Sequence, residues 1–137
     1  MKIIIGGSMQ FSDKMIEVKK ELEKLGHEVS LSGFIEQYKG KSHDDIETLK
    51  TTHKFEQNAA KEFWSRMITQ DAILIINIEK NGVKNYIGGA ALNDMAIAHF
   101  LNQKIFLWNP IPDIPYYKKE IESMKPVVIN GDLGKIR

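Results

Sequence analysis

The stretch Asp71-Ala72-Ile73-Leu74-Ile75-Ile76-Asn77-Ile78 decides the fold class. Its centre is an unbroken apolar run rich in β-branched residues, with polar sequence from Glu79 to Asn85 directly behind it. A strand with one face in water alternates apolar and polar residues. A strand without alternation is buried on both faces, as a central strand of a parallel sheet is.

Working outward, Lys2-Ile3-Ile4-Ile5 is a second such run, and it ends abruptly in Gly6-Gly7. Between the two, Met15, Val18, Leu22 and Leu25 recur at spacings of three and four, one apolar stripe of a helix. Ser12 reads as its cap and Gly26 as the left-handed residue after its last turn. Residues 28–31 make a short second strand and 32–41 a loop. Ser42 with Asp45 resembles a helix start, and Asp44 and Asp45 complement the positive end of its dipole. From Ile46 to Met67 apolar residues continue at helical spacing, as one long helix or two joined near Thr51-Thr52. Beyond the central strand come an Asn81-Gly82 turn and an apolar helix over 88–101. A strand over 104–108 follows, stopped by Asn109-Pro110-Ile111-Pro112. A helix over 116–124 and a fifth strand over 127–129 complete the chain. Strictly alternating strands and helices predict a single α/β domain over 1–137, a parallel sheet with helices on both faces.

Nineteen Lys and Arg are interleaved with 18 acids, a net charge of +1. That gives no clustered basic excess for a nucleic-acid polymer and no case for a membrane surface. With no cysteine in the chain, disulfides and thiolate metal sites are excluded. The apolar runs are strand-sized, too short for a signal segment or a membrane span. The chain reads as cytoplasmic.

In the common five-stranded doubly wound order, 2-1-3-4-5, ligands bind beyond the carboxyl ends of strands 1 and 3. Gly6-Gly7-Ser8-Met9 follows strand 1, and Asn77 leads on to Tyr86-Ile87-Gly88-Gly89 after strand 3. Topology therefore makes the two Gly-containing loops neighbours. Glycine lets backbone N–H groups approach a ligand, and a helix opening at Gly88-Gly89 offers free N–H groups to phosphate or carboxylate. A tight turn and a closely packed helix start would explain the same glycines one at a time. No Gly-Lys-Ser or Gly-Lys-Thr follows strand 1, which excludes a Walker loop.

Asp94 stands in an otherwise apolar helix, between Ala90-Ala91 and Ile97-Ala98. Desolvation there raises a carboxyl pKa. Asp94 reads either as a nucleophile or base facing the pocket, or as an acid serving its own helix start or a solvated edge. His99 cannot share its face and reads as a packed helix histidine. His43, Asp44 and Asp45 read as helix-start charges rather than a metal cluster, and neither metal nor cofactor is expected. Phe63, Trp64 and Trp108 read as core, with stacking on a base as the alternative, and Tyr116-Tyr117 as cover for an edge of the site.

Strand 1 ending in Gly6-Gly7-Ser8, the run from Asp71 to Asn77 leading to Tyr86-Ile87-Gly88-Gly89, then Asp94-Met95-Ala96-Ile97-Ala98-His99, Lys104-Ile105-Phe106-Leu107 and Asn109-Pro110 resemble the nucleoside 2-deoxyribosyltransferase superfamily. The likeness covers nearly the whole chain and is weakest across 32–60. It implies a flavodoxin-like fold and cleavage of the N-glycosidic bond of a nucleoside or nucleotide, with sugar transfer to a second base or to water. In the related 2-deoxynucleoside 5-phosphate N-hydrolases a Gly-Ser loop holds the phosphate, and Gly7, Ser8 and Met9 match it. The family's nucleophilic Glu corresponds to Asp94, with Gly6, Asn77, Gly88 and Gly89 among the groups around the substrate. Tyr86 would orient a sugar hydroxyl or the carboxylate. The family also implies a homodimer or higher homo-oligomer, for which the aromatic-rich long helix offers a surface. Three positions depart from its pattern. Asp94 is a methylene shorter than Glu, Ile4 stands at the place of the Tyr that steadies the nucleophile, and Glu62 or Phe63 falls near the Asp that helps the base leave. A catalytically silent nucleotide-binding module of the same fold is the alternative.

Overall fold

A computed structural model describes all 137 residues. Five strands, β1 (Lys2–Gly6), β2 (Glu28–Ser30), β3 (Ala72–Ile75), β4 (Lys104–Leu107) and β5 (Val127–Val128), form one sheet in the order β2-β1-β3-β4-β5. Every pairing is parallel, and Ile73 is matched to Ile4 on one side and Ile105 on the other. This is the order of flavodoxin-like doubly wound sheets.

The pleat divides the core in two. Ile3, Ile5, Leu74, Ile76 and Phe106 face α1 (Ser12–Lys24), meeting its Met15, Val18 and Leu22. Ile4, Ile73, Ile75, Ile105 and Leu107 face the opposite way, onto α3 (Ala59–Met67), α4 (Gly89–Phe100) and α5 (Lys118–Ser123). All four residues of β3 are fully buried, as the unalternated run requires. Each such Ile or Leu contributes about 1.5–3 kcal/mol of burial. The loops at the carboxyl end of the sheet are thus anchored on a rigid base.

Local chemistry sets the helix ends. Gly26 takes φ +92°, and the amides of Gly26 and His27 close on the carbonyls of Glu23 and Leu22 in a Schellman arrangement. Ser42 caps α2 (His43–Glu56) by accepting from the Asp45 amide at 3.2 Å. Three expectations need correcting. Ser12 is not the cap of α1; its hydroxyl donates back to the Met9 carbonyl. Ser8 does the capping, of a short 3-10 turn over Met9–Phe11, by accepting from the Gln10 amide at 3.2 Å. The break between α2 and α3 falls at Asn58 (φ +48°), not at Thr51-Thr52. Those threonines fold their hydroxyls onto the carbonyls of Glu47 and Thr48, so the helix continues through them. His99 is exposed rather than packed.

Candidate functional site

The two Gly-containing loops do meet. Gly6, Gly7, Ser8 and Met9 share one cavity of about 450 Å³ with Tyr86, Gly88, Gly89 and Asp94. Gly7 is required by its backbone: φ is +134°, and a Cβ there would lie 2.8 Å from the Ile76 carbonyl oxygen. No protein acceptor meets the N–H groups of Gly7, Ser8 or Met9.

A second row of free donors comes from α4. Gly88 is its N-cap and provides no side-chain cap, so the N–H groups of Gly88, Gly89, Ala90 and Ala91 point out of the helix unpaired. All four residues line the cavity. Helix dipole and orphan donors together favour an anion or a carbonyl-rich group here. Tyr117 fixes the approach to this turn, its hydroxyl donating to the Ile87 carbonyl. Tyr116, beside it, is fully exposed and covers nothing.

Asp94 lies one and a half turns further along α4, largely buried, and faces the same cavity. The Trp64 indole N–H on α3 donates to its Oδ1 at 2.9 Å, and its Oδ2 has no protein partner. Burial raises the carboxyl pKa from 3.8 to about 7, and the indole bond pulls it part of the way back. At neutral pH such a group exists in both forms, able to act as base, acid or nucleophile. Trp64, not Tyr86, is the neighbour of the carboxylate. The Tyr86 ring lies instead across the start of α4, where a Cβ on Gly88 would come 2.5 Å from the phenol oxygen. Phe63 and Trp64 are cavity wall as much as core. Trp108 packs against the α1 side, under the Lys14 ammonium.

The chain matches no family model and no curated protein.

Asn77 stands apart from the other predicted site residues. It is fully buried but outside the cavity wall. Its amide donates to the carbonyls of Asn109 (2.9 Å) and Pro110 (3.2 Å), and its oxygen accepts from the Asn109 amide at 2.8 Å. It ties the ends of β3 and β4 together and so holds the loop that follows. Ile4 is buried in the α3–α4 core. Glu62 pairs with Arg66 and lies outside the cavity wall, whereas Phe63 is part of it.

One wall was not anticipated. Lys50, His53 and Lys54 occupy one face of α2 at spacings of three and four, and Lys80 reaches in from the loop after β3. His53 is held on both nitrogens, by the Tyr38 hydroxyl at 2.6 Å and the Gln37 side-chain oxygen at 3.1 Å, and stacks on Phe34 at 4.3 Å. Gln37 can only accept with that oxygen, so Nε2 carries the proton and Nδ1 accepts from the phenol. Burial lowers the His53 pKa and pushes that of Tyr38 up to about 12, which keeps both neutral and the bond intact. The spacing of Lys50, His53 and Lys54 was visible in the sequence; that α2 would turn this face to the loops was not. No group of three His, Asp or Glu side chains is arranged to hold a metal ion. No helix is long and apolar enough to cross a membrane.

Proposed function

We propose that the protein cleaves the N-glycosidic bond of a nucleoside or nucleotide, with Asp94 as nucleophile. The observation that carries this is a largely buried carboxylate with one free oxygen, sharing a cavity with two rows of unpaired N–H donors. The donors suit the sugar and its phosphate, and the carboxylate suits an electrophilic anomeric carbon. In its ionised form Asp94 Oδ2 attacks C1′, the C1′–N bond breaks, and its electron pair leaves with the base, which takes a proton. The resulting glycosyl ester is then opened by water or by the nitrogen of a second base, which restores the carboxylate. The indole N–H at 2.9 Å holds Oδ1 and so aims Oδ2, the service that a tyrosine on β1 would give if Ile4 did not occupy that place.

The test is chromatographic detection of free base from a panel of deoxynucleosides and their monophosphates. Wild type should release base, and Asp94→Asn should be slower by about 10³-fold or more. Activity of the wild type should rise with pH through about 7, because only the ionised carboxylate attacks. Equal rates for the two proteins would remove Asp94 as nucleophile.

The burial of Ile4 and the turning of Glu62 away from the cavity favour a second reading, a silent nucleotide-binding module. It predicts thermal stabilisation by nucleotides with no base released at any pH. On either reading the ligand is a free small molecule, met in the cytoplasm. The working form is then a homodimer or higher homo-oligomer. Phe55 and Phe100, 83% and 81% exposed, are apolar groups that such an assembly would cover.

A further inference from the structure

The lysine wall has no function in the cleavage step. Lys50 and Lys54 on α2 and Lys80 from the loop after β3 line the cavity, and the one acid that pairs with them is Glu47, just outside its wall. Glu47 is engaged from three directions: it accepts from Gln10 at 2.7 Å and from Lys50 at 3.0 Å, with Lys80 at 3.9 Å. Lys54 has no acidic partner. Lys80 is the most telling of the three. Its side chain is only 10% exposed, yet no acceptor of the protein lies within hydrogen-bond distance of its ammonium, which sits 5.1 Å from the centre of the Tyr86 ring. Drawing most of a lysine side chain out of water while its ammonium lacks a hydrogen-bond acceptor is costly, and like-charged neighbours add to the cost. Its pKa is lowered accordingly, by burial first and by Lys50 next. Its ion pair with Glu47 is long and shared with Lys50, so an anion in the cavity would complete its coordination.

Three lysines against one glutamate leave an excess of two positive charges, about that of one phosphoryl group at neutral pH. The N–H donors of the loop after β1 and of the start of α4 share no residue with this wall and can hold another. We infer that the cavity has two anion subsites, and that its ligand is a nucleotide carrying at least two phosphoryl groups, one of them on Lys50, Lys54 and Lys80. This rests on the nucleotide reading of the cavity but not on cleavage.

Calorimetric titration in the absence of divalent metal tests it. The probes are the 5′-mono- and 5′-diphosphates of deoxyadenosine and deoxycytidine, together with inorganic phosphate and pyrophosphate. For wild type, the diphosphate of at least one base should bind tighter than its monophosphate by about tenfold or more, the effect of one added charge-assisted contact. Pyrophosphate should show the same advantage over phosphate. Lys80→Gln and Lys54→Gln should erase the advantage while leaving the monophosphate nearly unchanged; the exposed Lys54 makes the second variant safe for folding. Equal affinity for mono- and diphosphate overturns the inference and leaves the nucleotide reading standing. So does an equal loss for both in the variants, since the lysines would then hold the only phosphate. A lysine-dependent preference for pyrophosphate with no nucleotide bound would keep the anion subsites and remove the nucleoside. Binding of none of the probes overturns both.

Discussion

Replacing Asp94 by Asn should stabilise the protein, and by an amount that depends on pH in a defined way. The carboxyl ionises near 3.8 in an unfolded chain and near about 7 in the folded one. Between those values the folded protein keeps a proton that the unfolded chain has released. Stability therefore falls as pH rises across that window and is level above it. The gap is about three pH units at about 1.4 kcal/mol each, so wild type carries a penalty of about 4 kcal/mol above neutral pH. An asparagine keeps the shape, can still accept from the Trp64 indole, and never ionises. Urea denaturation of both proteins at about pH 8.5 and about pH 3.5 isolates this residue, because every other titrating group cancels in the difference. Asp94→Asn should be more stable by up to about 4 kcal/mol at the higher pH, and the advantage should vanish at the lower. An equal difference at both pH values, or one under about 0.5 kcal/mol at high pH, would refute the claim that this carboxylate is held in a desolvating wall. A stabilising substitution at a cavity acid also has a functional meaning: the residue is retained at a cost to the fold.

Three other substitutions probe the frame of the site. Trp64→Phe removes the only protein hydrogen bond to Asp94, so the carboxyl titration followed by ¹³C NMR should move upward; an unmoved midpoint would show that the indole bond is not made in solution. Gly7→Ala forces a left-handed φ on a residue with a Cβ, costing about 1–3 kcal/mol before the contact with the Ile76 carbonyl is added, and a loss under about 0.5 kcal/mol in urea would refute that geometry. Asn77→Ala orphans buried groups at about 1–3 kcal/mol each yet should leave nucleotide affinity within about twofold, and a larger loss of affinity would return Asn77 to the site.

The fold was legible because two apolar runs without alternation can only be inner strands, and alternating helices then force parallel pairing. The switch-point loops followed from that order. Finer features depended on competition that a sequence does not display. Ser8 and Ser12 are both of a type that can cap a helix, and the short turn between them leaves the capping to Ser8. Asn58, rather than the threonine pair, carries the left-handed turn that parts α2 from α3. Asn77 reads as a site residue from its place after β3, but the Asn109-Pro110 loop on the next strand takes up its hydrogen bonds. Asp94 was identifiable as a carboxylate among alanines, whereas its partner Trp64 lies thirty residues away on another helix. The lysine wall was hidden for the same reason, since Lys50 and Lys54 belong to a helix whose packing no local pattern specifies.

The central claim is that the loops after β1 and β3 form one nucleotide site. Seven unpaired backbone N–H groups line it, and each is an observable amide. Titrating a ¹⁵N-labelled sample with a deoxynucleoside monophosphate should move the resonances of Gly7, Ser8, Met9, Gly88, Gly89, Ala90 and Ala91 together, with one saturation curve and with the Trp64 indole proton following. Shifts confined to one loop, shifts elsewhere on the surface, or none at saturating nucleotide would contradict it.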